Sequence, residues 1–346
     1  MTTATENRVK VELASRIASA MSLRDAEVKV ETCHVDVRST SCTGLIAGRA
    51  FFAKHFTADP YRVVSALPWR EELSDSVASR PRADQFQVER NAAQTFRCMA
   101  GLAHVPAMLG CSEREAIILW EKAEGVRLDQ MLVRSRWMPG TGDSFSNALG
   151  VAGAWLRRVH DASREGSREF DLHSLSRAIQ QKIKAEPWAE QTYARTAIQR
   201  LQEASDAIGD NGKLELPVVL NHGDFTLANL LWNGTRLSVL DFENPIVAAP
   251  FYDLLTLTFS LRRKLLNPLV SRNVVQAAEK SFWKAYGAVP SQLATFLNAV
   301  ATARVLCQCS PRPAKQRRQR GWLNAAAAAV YHNVLESSML TRCLES

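Results

Sequence analysis

The segment Asn221-His222-Gly223-Asp224-Phe225-Thr226-Leu227-Ala228-Asn229, continuing through Leu240-Asp241-Phe242-Glu243, sets an amide and two carboxylates close together in a stretch that reads as a hairpin. Asn233-Gly234 stands between two apolar runs, and both residues tolerate positive φ, so the pair is a two-residue turn signal. With those two residues as the turn, Trp232 pairs with Thr235 and Leu230 with Leu237. Asn229 and Asp241 then fall together at the open end, with Asp224, His222 and Gly223 in the loop that leads into it. Hard oxygen donors gathered at one mouth suit a magnesium-phosphate site, because magnesium takes one or two carboxylates together with phosphate oxygens. The chemistry this constellation points to is metal-assisted binding of phosphate.

Such a site needs elements to carry it. Val9, Leu13, Ile17 and Met21 recur at helical spacing and predict a leading helix over 9–23. Short β-rich runs follow at Val28–Val30, His34–Val37, Gly44–Ala47 and Ala50–Phe56, separated by the turn-forming groups 38–41 and 48–49. A polar, proline-containing stretch from Ala58 to Ala83 reads as a connector. A helix is expected from about Asp84 to Leu102, and a buried strand at 116–120 that Glu124-Gly125 ends. Beyond Gly125 the texture is helical, over 146–160, 174–208, 251–266, 272–286 and 291–307, with one β-like island from Val218 to Phe242. The expected fold class is therefore α+β: a small β-rich N-terminal lobe with one helix over residues 1–122, and a larger, mainly helical C-terminal lobe over 123–346.

The spacing of His222-Gly223-Asp224, Asn229 five residues on and Asp241 twelve further resembles the catalytic and metal-binding loops of the aminoglycoside phosphotransferase and choline kinase group. Asp253, in Phe251-Tyr-Asp-Leu-Leu255, matches a further aspartate of that family. Protein kinases carry arginine where this chain has Gly223, so the small-molecule branch fits better. The resemblance implies a bilobal protein-kinase-like fold and Mg2+-dependent transfer of the γ-phosphate of ATP to a hydroxyl. Asp224 would be the catalytic base, and Asn229 and Asp241 would hold Mg2+. Lys54 would reach the nucleotide phosphates and Glu89, on the following helix, would hold Lys54. Glu121 and Ala123 lie in the hinge-like segment whose backbone would meet adenine. Ser39 and Ser41 lie in the loop that would cover the phosphates; that loop lacks a Gly-x-Gly-x-x-Gly pattern and leaves ATP versus GTP open. Asp253 is expected to brace the catalytic loop, His222 and His160 to be structural, and Glu243 either to assist metal or substrate or to face solvent.

Composition bounds the remaining choices. The chain has 346 residues, 46% hydrophobic and 23% charged, which suits a folded protein with an ample core. The net charge of +8 favours anionic partners generally and disfavours a polycationic acceptor. The expected acceptor is a small molecule: a sugar, aminoglycoside, amino alcohol or glycolipid headgroup. The alternative is a catalytically silent nucleotide-binding scaffold. The basic run 311–320 carries five positive charges and is read as a solvated loop, so nucleic acid is not an expected partner. No run is apolar enough to span a bilayer and the N-terminus carries no signal-like pattern, so a cytoplasmic location is expected. The seven scattered cysteines fit no zinc pattern and are read as reduced thiols, mostly core filler.

Overall fold

The computed structural model describes residues 3–24, 27–35, 39–57, 82–99, 101–185, 192–209, 212–267 and 269–309. Residues 58–81 of the connector expected over 58–83, the basic run 311–320 and the alanine stretch at 325–329 lie outside the described residues, and residues 82–83 already belong to the following helix. Helix α1 (Thr3–Met21) covers one face of a five-stranded antiparallel sheet made of β1 (Val28–Val35), β2 (Ser39–Ile46), β3 (Arg49–Phe56), β4 (Met108–Ser112) and β5 (Ile117–Glu121). The strand order is β1-β2-β3-β5-β4. Leu13 and Ile17 of α1 pack with Phe51, Ala53, Ile117 and Leu119. Strand side chains alternate between faces, so Phe56, Ile118 and Trp120 turn the other way and join Phe86 and Phe96 of α2 (Arg82–Met99). Lys54, next to Ala53, is thereby aimed at α2.

Three details of this sheet differ from the sequence reading. The runs at 28–30 and 34–37 belong to one strand, β1, whose register shifts between Val30 and Thr32. Ser39 and Ser41 lie within strand β2 rather than in a loop, and the β2–β3 turn is Ala47-Gly48, both at positive φ. Strand β4 was hidden because Met108-Leu-Gly-Cys-Ser112 is neither continuously apolar nor alternating.

The C-terminal part is mainly helical, as expected: α3 (Leu128–Arg134), α4 (Thr141–Ala162), α5 (Leu172–Lys184), α6 (Thr192–Asp206), α7 (Phe251–Lys264), α8 (Arg272–Tyr286) and α9 (Ser291–Cys309). Gly153 lets α4 approach α8 closely, since a Cβ there would stand 2.4 Å from the carbonyl oxygen of Phe282. The single helix expected over 174–208 is two, α5 and α6; Pro187 in the interval has no amide to donate and opposes a continuous helix.

The β content here exceeds one hairpin. Strands β10 (Leu230–Trp232) and β11 (Leu237–Val239) are joined by β6 (Val126–Arg127), β9 (Val219–Asn221) pairs with β12 (Ile246–Ala248), and β7 (Ser167–Asp171) pairs with β8 (Lys213–Pro217). The β10–β11 register is two residues off the expected one: Leu230 faces Val239 and Trp232 faces Leu237. The cause is Asn233, whose Oδ1 accepts the amides of Thr235 at 3.1 Å and Arg236 at 2.8 Å and so lengthens the turn to four residues. A shift of two keeps every side chain on its face, so Asn229 and Asp241 still meet at the open end. Among the described residues no helix is long and apolar enough to cross a membrane.

Candidate active site

Lys54 Nζ is the centre of a buried carboxylate cluster. It stands 3.2 Å from Glu89 Oε2 and 3.1 Å from Asp241 Oδ1, and it also donates to Glu243 Oε1. The side chains of Lys54 and Glu89 are only 7% and 3% exposed. One ammonium among three carboxylates leaves negative charge in excess. Burial, with Glu243 and Asp241 adding to it, pushes the Glu89 carboxyl up to about 8, against the opposing pull of Lys54. Carboxylate oxygens of Glu89, Asp241 and Glu243 come within 4.8 Å of one another, close enough to share a cation. Glu243 is further fixed through its backbone, whose carbonyl accepts Gln85 Nε2 at 2.6 Å.

Asp241 sits at φ +67, a left-handed conformation that asparagine and aspartate enter more readily than other side chains. Holding it there costs on the order of 1–3 kcal/mol, and the conformation presents the carboxylate to Lys54 just as the chain leaves β11.

The loop carrying Asp224 is built by backbone capture. Asp253, fully buried near the start of α7, accepts the amides of His222 at 2.6 Å and Gly223 at 2.8 Å, one on each carboxylate oxygen. His222 Nε2 pairs with the carbonyl of Leu240 at 2.9 Å, while Nδ1 accepts the Asp224 amide at 3.3 Å. These pairings place the proton on Nε2 and make His222 a strut between the two halves of the site. Asn229 Nδ2 donates to the Asp224 carbonyl at 2.9 Å and to Asp224 Oδ2 at 3.0 Å. With its nitrogen so committed, Asn229 has its amide oxygen left for a cation. His160 is buried and packed, its Nδ1 2.9 Å from the Tyr286 hydroxyl and its Nε2 3.6 Å from Asp253 Oδ2 without a hydrogen bond.

An aromatic chain ties these pieces into one body. Phe96 of α2 stacks on Phe242 at 5.1 Å, Phe242 meets His222 at 4.9 Å, His222 meets Phe225 at 5.8 Å, and Phe225 stacks on Trp155 of α4 at 5.6 Å. Such pairs contribute roughly 0.5–1.5 kcal/mol each beyond their buried area. The helix that carries Glu89 is thus connected ring by ring to the loop that carries Asp224.

A cavity of about 570 Å³ opens between the sheet and this loop. Ser39, Ser41, Lys54, Glu89, Glu121, Ala123, Asn229 and Asp241 all line it. Asp224 is not among the lining residues; its carboxylate is bonded by Asn229, which is. The donor set fits a hard divalent cation: Asp241, Asn229 and Glu243 line one cavity and offer oxygen donors. Glu243 is the residue sequence reasoning left unplaced. Its partner Lys54 is 189 positions away, and no local signal links the two. Arg304 of α9 is a second: only 2% exposed, it lies 3.6 Å above the Phe259 ring. Burial pulls its guanidinium down to about 9, and the charge of Asp224 pulls the other way.

The family model of the phosphotransferase enzyme family matches residues 77–294, the span that contains Glu89, the Asp224 loop, Asp241 and Asp253. Among solved structures, a choline/ethanolamine kinase family protein from Mesorhizobium loti has a TM-score of 0.54 at 14% identity, over 96% of this chain and 97% of that one. A thermostable mutant of the aminoglycoside phosphotransferase APH(4)-Ia, solved with ADP and hygromycin B, has a TM-score of 0.56 at 12% identity, over 94% and 99%. The GDP complex of aminoglycoside 2'-phosphotransferase-IIIa has a TM-score of 0.53 at 13% identity, over 94% and 97%. At these identities the likeness is one of fold. No curated protein matches the chain. A kinase-like fold and a family match over more than half of its length establish that the chain belongs to the phosphotransferase enzyme family, small-molecule phosphotransferases that act on hydroxyl groups.

Proposed function

We propose that the chain is a small-molecule kinase that transfers the γ-phosphoryl group of ATP, with Mg2+, to a hydroxyl of a sugar, aminoglycoside, amino alcohol or glycolipid headgroup. The observation that carries this reading is the convergence of Lys54, Glu89, Asn229 and Asp241 on one cavity, with Asp224 bonded to Asn229 at its edge.

In this reading Lys54 contacts nucleotide phosphates, and Glu89 keeps its ammonium aimed into the cavity. Glu121 and Ala123 present backbone groups to the base, and Ser39 and Ser41 line the phosphate side from strand β2. Asp241 and the Asn229 amide oxygen would hold Mg2+, which when bound supplies neutralisation of phosphate charge. Asp224 orients the acceptor hydroxyl and takes its proton. Asn229 holds the Asp224 carboxylate through Oδ2. Positioning and charge stabilisation carry most of such a reaction, which suits a site assembled from buried, mutually bonded groups.

GDP and ADP in two of the similar structures support a purine nucleotide and leave GTP as an alternative donor. A phosphotransfer screen over the four acceptor classes, run with ATP and with GTP in the presence of Mg2+, tests the proposal. Turnover with at least one acceptor is expected. Nucleotide binding without turnover across the whole panel would leave a nucleotide-binding scaffold.

A further inference from the structure

Cys33 and Cys42 stand directly opposite one another on β1 and β2, the hairpin that forms the outer edge of the N-terminal sheet. In an antiparallel pair, opposed Cα atoms lie about 4.5 or 5.5 Å apart according to the hydrogen-bonding class of the rung. Both spacings fall inside the roughly 4.4–6.8 Å window of a disulfide. Opposed side chains also share a face. The register shift at Val30/Thr32 puts Cys33 on the α1 side, where it packs with Cys42, Leu13 and Ile17. The flanking rungs face the other way: Thr32 and Thr43 share a hydroxyl–hydroxyl bond of 2.7 Å, and His34 opposite Ser41 lines the cavity. Both cysteines are free thiols; Cys33 is half-buried and Cys42 is buried.

We propose that Cys33 and Cys42 are a reversible oxidation site, at which a peroxide closes a cross-strand disulfide and locks the β1–β2 hairpin beside the cavity. Peroxide reacts first at the more accessible Cys33: its sulfur gains one oxygen to become a sulfenic acid, the peroxide O–O bond breaks, and one water leaves. The Cys42 sulfur then attacks the Cys33 sulfur, forming the S–S bond and breaking S–O. The hydroxyl departs with the Cys42 proton as a second water. A dithiol reductant reverses both changes. Burial pushes the Cys42 thiol up to about 12, which keeps it protonated and slows its attack; its place directly opposite Cys33 is what makes it the resolving partner. The bond would join residues on the face away from the cavity, so it does not obstruct the site. It fixes the rung next to His34 and Ser41 and thereby the separation of the two strands that flank the cavity.

The test is peptide mapping of the full chain after brief treatment with hydrogen peroxide, alkylation of the remaining thiols and digestion. A linked pair carrying Cys33 and Cys42, absent after dithiothreitol, is expected, with a rise in Tm and slower amide exchange across 28–46 in the oxidised protein. Cys33→Ser, at a half-buried position that tolerates a hydroxyl, abolishes the Tm rise. Sulfenic or sulfinic acid at Cys33 with Cys42 still alkylatable, or Cys33 linked to a different cysteine, overturns the proposal. The mapping reads wild-type protein, so the outcome stands even if a cysteine variant fails to fold.

Discussion

At Gly223 a Cβ would stand 1.6 Å from the carbonyl oxygen of Asn244. The residue also adopts φ +82, so the position refuses a side chain on two counts. This is the physical reason the chain carries His-Gly-Asp rather than a motif with arginine in the middle: the segment after Asp241 runs directly over residue 223. Gly223→Ala must both enter the left-handed region and displace backbone. It is expected to lower stability by about 2 kcal/mol or more and to abolish phosphotransfer. Thermal unfolding and an activity assay on the purified variant check this.

Asp253 divides its two oxygens between the amides of His222 and Gly223. Asp253→Asn would turn an N–H toward one of those amides and leave a buried donor without an acceptor, a loss of about 1–3 kcal/mol. Because Asp253 touches the loop and not the cavity, turnover should fall much more than nucleotide affinity. Unchanged kcat with a normal Tm would show that the loop holds its shape without this brace.

Asp241 combines left-handed backbone with a place among three carboxylates around one lysine. Asp241→Asn keeps the favoured residue type for that φ while removing a negative charge that raises the Glu89 carboxyl. The metal-free variant is therefore expected to melt at the same temperature as wild type or a few degrees higher. Its stabilisation by ATP should no longer depend on magnesium. A thermal-shift titration with ATP, with and without Mg2+, reads both effects.

Glu89, pushed up to about 8 from an ordinary 4.5, holds its proton in the folded protein over a range where the unfolded chain has lost it. The folded state then binds more protons than the unfolded state between those values, so stability falls as pH rises from about 4.5 to about 8. Glu89→Gln removes that group, and the slope over this window should flatten. Denaturant unfolding of metal-free wild type and variant at pH 5.5 and 8 makes the comparison; an equal slope in both would place the titration elsewhere.

How much of this was legible before the structure follows from where each signal lives. Asp224, Asn229 and Asp241 lie within one hairpin and the loop leading into it, so local pattern sufficed to bring them together, while Asp253, at the start of the next helix, stands out only through the family resemblance. Lys54 and Glu89 were readable as a strand lysine followed by a helix acid. Glu243 was not, because its burial arises only when β3 is laid against the end of β11. The hairpin register was misread because an asparagine side chain, not the Asn-Gly backbone preference, sets the turn. Strands β7, β8 and β12 are short and gain their identity only from their partners. The Cys33–Cys42 rung depends on a one-residue irregularity in β1, and Arg304 on α9 meeting α7; neither leaves a local signature.

The central claim is that Asp224 takes the acceptor proton while the neighbouring groups bind nucleotide and metal. The most direct test is steady-state phosphotransfer by Asp224→Asn, measured together with its affinity for ATP and Mg2+. Turnover is expected to fall about 10²–10⁴-fold with nucleotide affinity close to wild type. Wild-type turnover in Asp224→Asn would contradict the account.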